Sequence, residues 1–395
     1  MRTHLKHNGG YLILTAIIIG ALLTTIVGGL LWYVVLRDRE SLTEHSVHQA
    51  TFIADAGLQE YAWRLLNTST TPTSAQAFDV FVADETQTYG TAHVVATPVL
   101  SCESVAAIVA TSTGRSADSE TITHNVVAYF THPTVAGYAT VTSDAAPEEI
   151  FAADMDILKS IAQTSGKYFH LGTTSEETNG TRLIFNEDGT VQVYEIIDAD
   201  SPQIATFVDG STGGAQASDY TRITEELPAG TYTLPEDCGL IFVEGRVWIE
   251  GTVSRHITLA ASGGAAHDAD VVITGNITQT THDGSAGITV IADRNVLVAN
   301  NAPARLSLEG VFVAERGTIG QSSYVCGSGG AKETLGVYGT LASYNPLRLS
   351  WNTECPEGNG YPEITTAPQY ALAKNPPVFT PQIADGWVMA GWNEQ

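Results

Sequence analysis

The chain has 395 residues and a formal net charge of −25, because 43 acidic side chains stand against 18 basic ones. Such a surface repels phosphate groups, which argues against direct binding of nucleic acid, and it is typical of a secreted protein kept soluble by its charge. Hydrophobic residues make up 43% of the chain and glycines number 37, which excludes a disordered chain and indicates β-structure with many tight turns.

The first predicted element is a helix over the uncharged, apolar residues 11–36, which end at Arg37. At about 1.5 Å per residue this helix would be about 39 Å long, enough to cross a bilayer core of about 30 Å with some tilt. A secretory signal peptide is the alternative. Its apolar region is only about 7–15 residues and precedes a small-residue cleavage site, which residues 34–38 do not offer. We therefore predict a single-pass membrane protein with an extracytoplasmic domain.

The junction before this helix has a distinctive sequence. A short polar leader ends in Gly10, and Tyr11 begins the apolar stretch with no spacer. The junction resembles a class III leader, which prepilin peptidase cuts after the glycine before the new N-terminus is methylated. Major pilins usually have a glutamate at the fifth mature position, where this chain has Thr15, whereas minor pilins of the PilX-like and K-type pseudopilin kinds often lack it. Residues 54–60 (Ala-Asp-Ala-Gly-Leu-Gln-Glu) are similar to a segment common in PilX-like minor pilins.

The resemblance implies cleavage between Gly10 and Tyr11. It also implies prepilin peptidase as a partner, and contacts of the helix with the membrane and with other pilins.

Beyond Arg37 the sequence becomes amphipathic, and the pattern predicts that the helix continues to about Leu66. Apolar residues recur at three- and four-residue steps at Val47, Ala50, Ala54, Leu58, Tyr61 and Leu65. Gly57 lies inside this helix, where glycine is about 1 kcal/mol less favourable than alanine. We interpret it as a helix-packing residue that lets a neighbouring helix approach closely; a tolerated glycine near a bend is the alternative.

The remaining residues predict mainly β-structure. Residues 67–146 begin with a linker around Pro72 and continue as a small antiparallel sheet packed on the helix. Residues 147–239 form a connecting α/β segment. Within it, two apolar runs flank Asp188 and Gly189, a pair that supplies the positive φ of a tight hairpin.

From residue 240 onward, short strands end in Gly or Asn, and the turn residues Gly251, Gly275, Asn295 and Gly317 recur about every 20–24 residues. This spacing predicts a right-handed β-solenoid-like domain over residues 240–361, with a β-sandwich as the structural alternative. The proline-rich residues 362–395 are predicted to be an extended tail that caps an open strand edge. The predicted fold class is therefore α+β: a leader (1–10), a long transmembrane pilin-like helix (11–66), a small antiparallel sheet and a mainly-β domain.

The four cysteines do not indicate a metal site, since none is in a CxxC pair and no histidine lies at ligand spacing. Cys326 and Cys355 flank one irregular segment and are the candidate disulfide pair. Cys102 and Cys238 are either simply buried or paired with each other. No metal and no cofactor is predicted.

Enzymatic chemistry is not indicated. Glycoside hydrolysis needs two convergent carboxylates. The carboxylates in or beside the predicted solenoid turns are Asp268, Asp270, Asp283 and Asp293, but acidic residues are abundant throughout this chain. The groups His267-Asp268-Ala269-Asp270 and His282-Asp283 lack the order of known calcium loops.

The function predicted from the sequence is that of a minor pilin or pilin-like protein. It would belong to a type IV pilus or a type II secretion-like system and would contribute to assembly or to surface adhesion, with a possible surface ligand. Two alternatives remain: a membrane-anchored adhesin that is never processed, and an anchored carbohydrate-active enzyme.

Overall fold

The structure is a computed structural model that describes residues 9–67, 74–83, 88–102, 104–117, 122–131, 140–142, 154–170, 179–200, 221–263, 269–321, 332–351, 359–381 and 388–394. The helices are α1 (Gly9–Asn67), α2 (Met155–Thr164) and α3 (Tyr370–Lys374). In chain order the strands are β1 (Gln76–Ala83), β2 (Thr88–Ser101), β3 (Ser104–Ser116), β4 (Thr123–Thr131), β5 (Thr140–Thr142), β6 (Lys167–Phe169), β7 (Gly180–Phe185), β8 (Thr190–Asp200), β9 (Arg222–Thr233), β10 (Leu240–Glu244), β11 (Val247–Val253), β12 (His256–Ser262), β13 (Val271–Gln279), β14 (Gly287–Ala292), β15 (Val296–Val298), β16 (Arg305–Ala314), β17 (Ile319–Gln321), β18 (Thr334–Ser343), β19 (Ser350–Trp351), β20 (Asn359–Gly360), β21 (Glu363–Ala367) and β22 (Val388–Glu394).

The C-terminal half of α1 packs on an antiparallel sheet with the strand order β1-β2-β3-β4-β22. The helix ends at Asn67, which confirms the end predicted near Leu66. Its apolar face and the facing strands form one core of Ala54, Leu58, Tyr61, Leu65, Val94, Ala96, Ile108, Ala110, Val126, Ala128 and Phe130. The fifth strand comes from the end of the chain, since β22 pairs antiparallel with β4. The predicted tail therefore contributes to this sheet as well as to the larger one, where β21 pairs with β18.

Within the described ranges the larger sheet has 15 strands, and most of its neighbouring strands are parallel. Its parallel strands form three rows, and within a row each strand is paired with the next. In the first row, Val243 lies opposite Ala261, which is followed by Ala292, Ala314 and Ser343 on successive strands. In the second row, Val247 lies opposite Val271, followed by Val296 and Ile319. In the third row, Ile277 lies opposite Leu308, followed by Val337 and Thr366. The inward residues of these rows form the largest apolar core of the protein.

Two stacked glycines allow β16 and β18 to bend from the third row into the first. Gly310 and Gly339 lie opposite each other in the parallel pair, and both have positive φ values, 138° and 143°. A Cβ atom on Gly339 would collide with the backbone of Gly310. Only glycine combines this backbone conformation with so close an approach.

The edge of the parallel rows carries the hairpin expected around Asp188 and Gly189. β7 and β8 pair antiparallel with Phe185 opposite Val191, and Gly189 has a φ of 82°. This prediction is confirmed because a tight hairpin turn depends only on local residues. β8 then pairs with β9, which forms the outer edge of the sheet.

The predicted α+β class with a transmembrane helix is wrong. The protein is mainly β, with one long N-terminal helix, and its larger sheet is curled into a half-barrel. In the described part of the chain no helix is long and apolar enough to cross a membrane, and the predicted single-pass membrane localisation is corrected accordingly. The apolar composition of residues 11–36 indicates that they avoid water, but it does not specify which apolar environment covers them.

A disulfide between Cys102 and Cys238 joins the two sheets. Cys102 lies between β2 and β3 of the antiparallel sheet, whereas Cys238 precedes β10 of the curled sheet. The backbone N–H of Cys102 also donates to the carbonyl oxygen of Asp237 at 2.8 Å. Of the two alternatives open for these cysteines, pairing with each other is therefore correct.

Candidate assembly surface

The described N-terminal half of α1 is apolar and exposed on all sides. From Ile26 to Leu36 the large apolar side chains are between 48% and 67% exposed, with Trp32 the most exposed. These residues cover three helical turns, so they face every direction around the helix axis. Among the described residues, a Cβ atom on Gly28 or Gly29 would meet no atom within 4 Å apart from its chain neighbours and the nearby backbone of the helix itself. A helix that is hydrophobic all round is normally found buried.

The C-terminal half of the same helix contrasts with it, because one face is buried. Tyr61 is 2% exposed; its ring stacks on Phe78 at 5.9 Å between centroids and meets Phe130 edge-on at 5.4 Å. The Tyr61 hydroxyl is buried and finds no hydrogen-bond partner among the described residues, and burial raises its pKa. Gln49 fixes the start of this face, since its Oε1 accepts from the Ser116 hydroxyl at 2.7 Å.

Gly57 lies at a close approach of α1 to the sheet. A Cβ atom there would lie 2.5 Å from Ser112 Oγ, 2.7 Å from Ala92 Cβ and 3.0 Å from Val94 Cγ2. Within this chain, Gly57 thus packs against β2 and β3. Contact with a helix of another subunit stays a prediction.

We expect Gly57→Leu to lower the free energy of unfolding by about 1–3 kcal/mol, because the added side chain pushes α1 away from β2 and β3. Gly29→Leu is the matched control. It replaces a glycine of the same helix in open space, where leucine favours the helix by up to about 1 kcal/mol. Urea denaturation of both variants measures the difference, and equal stabilities would contradict the packing role.

A second exposed apolar stripe lies beside the edge strand β1. On α1, the side chains of Phe52, Trp63 and Leu66 are each more than 60% exposed, and Phe81 of β1 is 75% exposed. Between helix and strand runs a shallow groove of about 410 Å³, lined by Ala56, Gln59, Glu60, Trp63, Val80, Phe81, Val82 and Ala83. Among the described strands, β1 is the edge of its sheet. Aromatic groups beside a strand edge are typical of surfaces that bind other proteins.

The residues predicted for processing lie in the first turns of α1. Gly10 and Tyr11 follow its first residue, Gly9, and Thr15 lies one turn further along. Their side chains are outside the described part of the structure, so cleavage at this junction stays a prediction. Cys326 and Cys355 also lie outside the described residues, and their pairing stays a prediction.

The carboxylates considered for catalysis or calcium binding have separate local roles. Asp270 and Asp293 are buried and form ion pairs with arginines, Asp270 with Arg246 and Arg294 and Asp293 with Arg316. Asp283 lies in an exposed turn, where its Oδ1 accepts from the backbone N–H and hydroxyl of Ser285. His282 Nε2 lies 2.9 Å from Glu309 Oε2. Residues 267 and 268 lie outside the described ranges.

Sequence reasoning did not identify the exposed stripe of Phe52, Trp63 and Leu66. Its signal is nevertheless present, because residues 52, 56, 59, 63 and 66 follow the three- and four-residue steps of a second helix face. It also did not identify a polar cleft around Arg182, whose walls come from strands far apart in the sequence.

No protein-family model matches the chain, and no curated protein matches it. Among solved structures, the chain has a pilin as a neighbour: the crystal structure of competence-associated pilin ComZ from Thermus thermophilus. The match covers 89% of this chain and 97% of that chain, with 11% sequence identity and a TM-score of 0.26.

Proposed function

We propose that this chain is a pilin-like subunit that assembles with other subunits through the N-terminal half of α1. The observation that carries the proposal is the run of exposed apolar side chains from Ile26 to Leu36 on a helix whose other half is anchored to a sheet. One flat partner surface covers only one side of such a helix. A bundle of neighbouring helices covers all sides, as the core of a filament does.

The two halves of α1 have different tasks in this proposal. The anchored half holds the β-sheets at a fixed distance from the exposed half, since one continuous helix connects them. Covering one large apolar side chain contributes about 1.5–3 kcal/mol. Several such side chains in each subunit supply a driving force for assembly that overcomes repulsion between strongly acidic subunits.

Processing between Gly10 and Tyr11 by prepilin peptidase, followed by N-methylation, is part of the proposal, as is the narrower assignment to PilX-like minor pilins. The support is the leader–helix junction together with residues 54–60. The mass and N-terminal sequence of the protein from its native source test this step. A chain that begins at methylated Tyr11 supports it, and a chain that retains Met1 contradicts it.

Leu31→Glu tests the assembly surface. We expect this variant to reduce the assembled fraction at least tenfold, because it places a charge where neighbouring helices must exclude water. The measurement is the amount of protein in filaments sheared from cells that express the full chain. Leu227→Glu is the control, since Leu227 is a similarly exposed leucine on the edge strand β9.

Both variants should unfold at the same urea concentration as the wild type, because neither site is buried. Unchanged filament incorporation of Leu31→Glu would contradict the proposed surface. Equal loss in both variants would show that any added charge prevents assembly.

A further inference from the structure

The curled sheet carries a polar cleft on the outer face of its second row, where side chains of β9 reach those of β7 and β11. The cleft has a volume of about 290 Å³, near the lower end of the range of small-molecule sites. Its polar walls come from Arg182 on β7, Glu226 and Thr224 on β9, Glu250 on β11, Thr274 on β13, and Asn301.

The charged groups of the cleft are already paired with one another. Arg182 Nη1 donates to both carboxylate oxygens of Glu226, at 2.9 and 2.8 Å. Its Nη2 donates to Oε1 of Glu250. Burial alone would lower the pKa of Arg182, but the hydrogen bonds and charges of the two glutamates outweigh it and raise the pKa. The guanidinium thus stays charged and holds both carboxylates in fixed positions.

This pairing disfavours charged ligands. An anion would face two carboxylates, with the Nη groups of Arg182 already engaged by them. A cation would have to compete with the Arg182 guanidinium for the same carboxylate oxygens. A singly charged cation lacks the rigid, planar arrangement of donors with which the guanidinium binds both carboxylates.

The groups left for a ligand are a mixture of donors and acceptors. The second oxygen of Glu250 can accept a hydrogen bond, and the Asn301 amide offers one donor group and one acceptor. The Thr224 hydroxyl donates to Asp198 Oδ2 at 3.1 Å and keeps lone pairs to accept with. Ile223 adds an apolar wall. A ring that carries hydroxyl groups at its edge and C–H groups on its face matches this arrangement.

We propose that the cleft between β9 and β11 binds one ring of a neutral saccharide. Hydroxyl groups donate to Glu250 and Thr224 and exchange hydrogen bonds with Asn301, while the C–H face of the ring lies on Ile223. The site is independent of the proposed assembly surface, because it lies on the curled sheet and uses no residue of α1.

The test is saturation-transfer NMR and calorimetry on the full chain. The neutral probes are methyl α-D-glucopyranoside, methyl β-D-galactopyranoside and methyl N-acetyl-β-D-glucosaminide, and the charged probes are acetate and n-butylammonium. We expect at least one neutral probe to bind and both charged probes to fail. Absence of binding by all three sugars at 20 mM, or binding of a charged probe alone, overturns the proposal.

Variants locate the site. Asn301→Ala and Glu250→Gln should each weaken binding of the sugar at least tenfold. Glu309→Gln is the matched control, because Glu309 is also an outward-facing strand glutamate but lies outside the cleft. Asn301 is exposed, so its replacement leaves folding intact and keeps the test valid if Glu250→Gln unfolds. Binding that is unchanged in Asn301→Ala, or lost equally in Glu309→Gln, overturns the assignment to this cleft.

Discussion

The Asp270→Ala variant is expected to lose about 3–5 kcal/mol of unfolding free energy, because it removes the buried carboxylate that pairs with the charges of Arg246 and Arg294. Asp270 is 1% exposed. Its Oδ2 accepts from Arg294 Nη2 at 2.6 Å and from Arg246 Nη2 at 3.2 Å. Its Oδ1 accepts from Arg294 Nε at 2.7 Å and from the Asn295 side chain at 3.0 Å. Arg246 is itself only 9% exposed, so bulk water compensates little for the lost carboxylate.

The same network makes the loss of unfolding free energy in Asp270→Ala depend on pH. Burial would raise the pKa of Asp270, but the hydrogen bonds and charges of Arg294 and Arg246 outweigh it and lower the pKa below its usual value. A lowered folded-state pKa means that the stabilisation is complete above the unfolded pKa of about 3.9 and is lost as the pH falls through the folded value. The difference between wild type and Asp270→Ala should therefore be largest near pH 7 and shrink below about pH 4.

Urea denaturation at pH 7 and at pH 3.5 measures both effects. Asp283→Ala is the matched control, since Asp283 is an aspartate in an exposed turn of the same sheet whose bonds are to Ser285. We expect the control to change stability little. A loss in Asp283→Ala as large as that in Asp270→Ala would show that the buried network is not the cause.

Removal of the Cys102–Cys238 disulfide is the second change with a large expected effect. The bond joins residues 136 positions apart, so it restricts the unfolded chain strongly, and its loss is expected to lower stability by about 2–5 kcal/mol. Because it also connects the two sheets, the antiparallel sheet with α1 should unfold at lower urea than the curled sheet once it is removed. Urea denaturation of the Cys102→Ala/Cys238→Ala variant tests both expectations.

The matched control is the Cys326→Ala/Cys355→Ala variant, which removes the other two cysteines. If these two form the predicted pair, they close a much shorter loop, and their removal should destabilise less. Non-reducing peptide mapping of the wild type identifies which cysteines are joined. A single transition at the wild-type urea concentration in the Cys102→Ala/Cys238→Ala variant would contradict the structural role of this bond.

Prediction of the assembly surface from the sequence depended on composition. The uncharged residues 11–36 predicted a helix whose apolar surface must be covered. The leader–helix junction suggested that helices of other pilins contribute to that cover. From composition alone we predicted that a membrane surrounds this helix, and that localisation was wrong. Hydrophobic burial is non-directional, so the sequence states that these side chains leave water without stating what they enter.

Local interactions allowed the sequence by itself to determine the end of α1 near Asn67, the buried face with Ala54, Leu58 and Tyr61, and the hairpin at Gly189. Each depends on residues within a few positions of one another.

Only the tertiary structure decided the pairing of β22 with β4, the union of Cys102 with Cys238, and the meeting of Arg182, Glu226 and Glu250 in one cleft. The tertiary structure also decided the fold class, because the pattern of apolar and β-branched residues in the strands does not specify which strands become neighbours. These contacts join residues tens to hundreds of positions apart. Their selection depends on the packing of the complete chain, since any two apolar strands of suitable length satisfy the same local pattern.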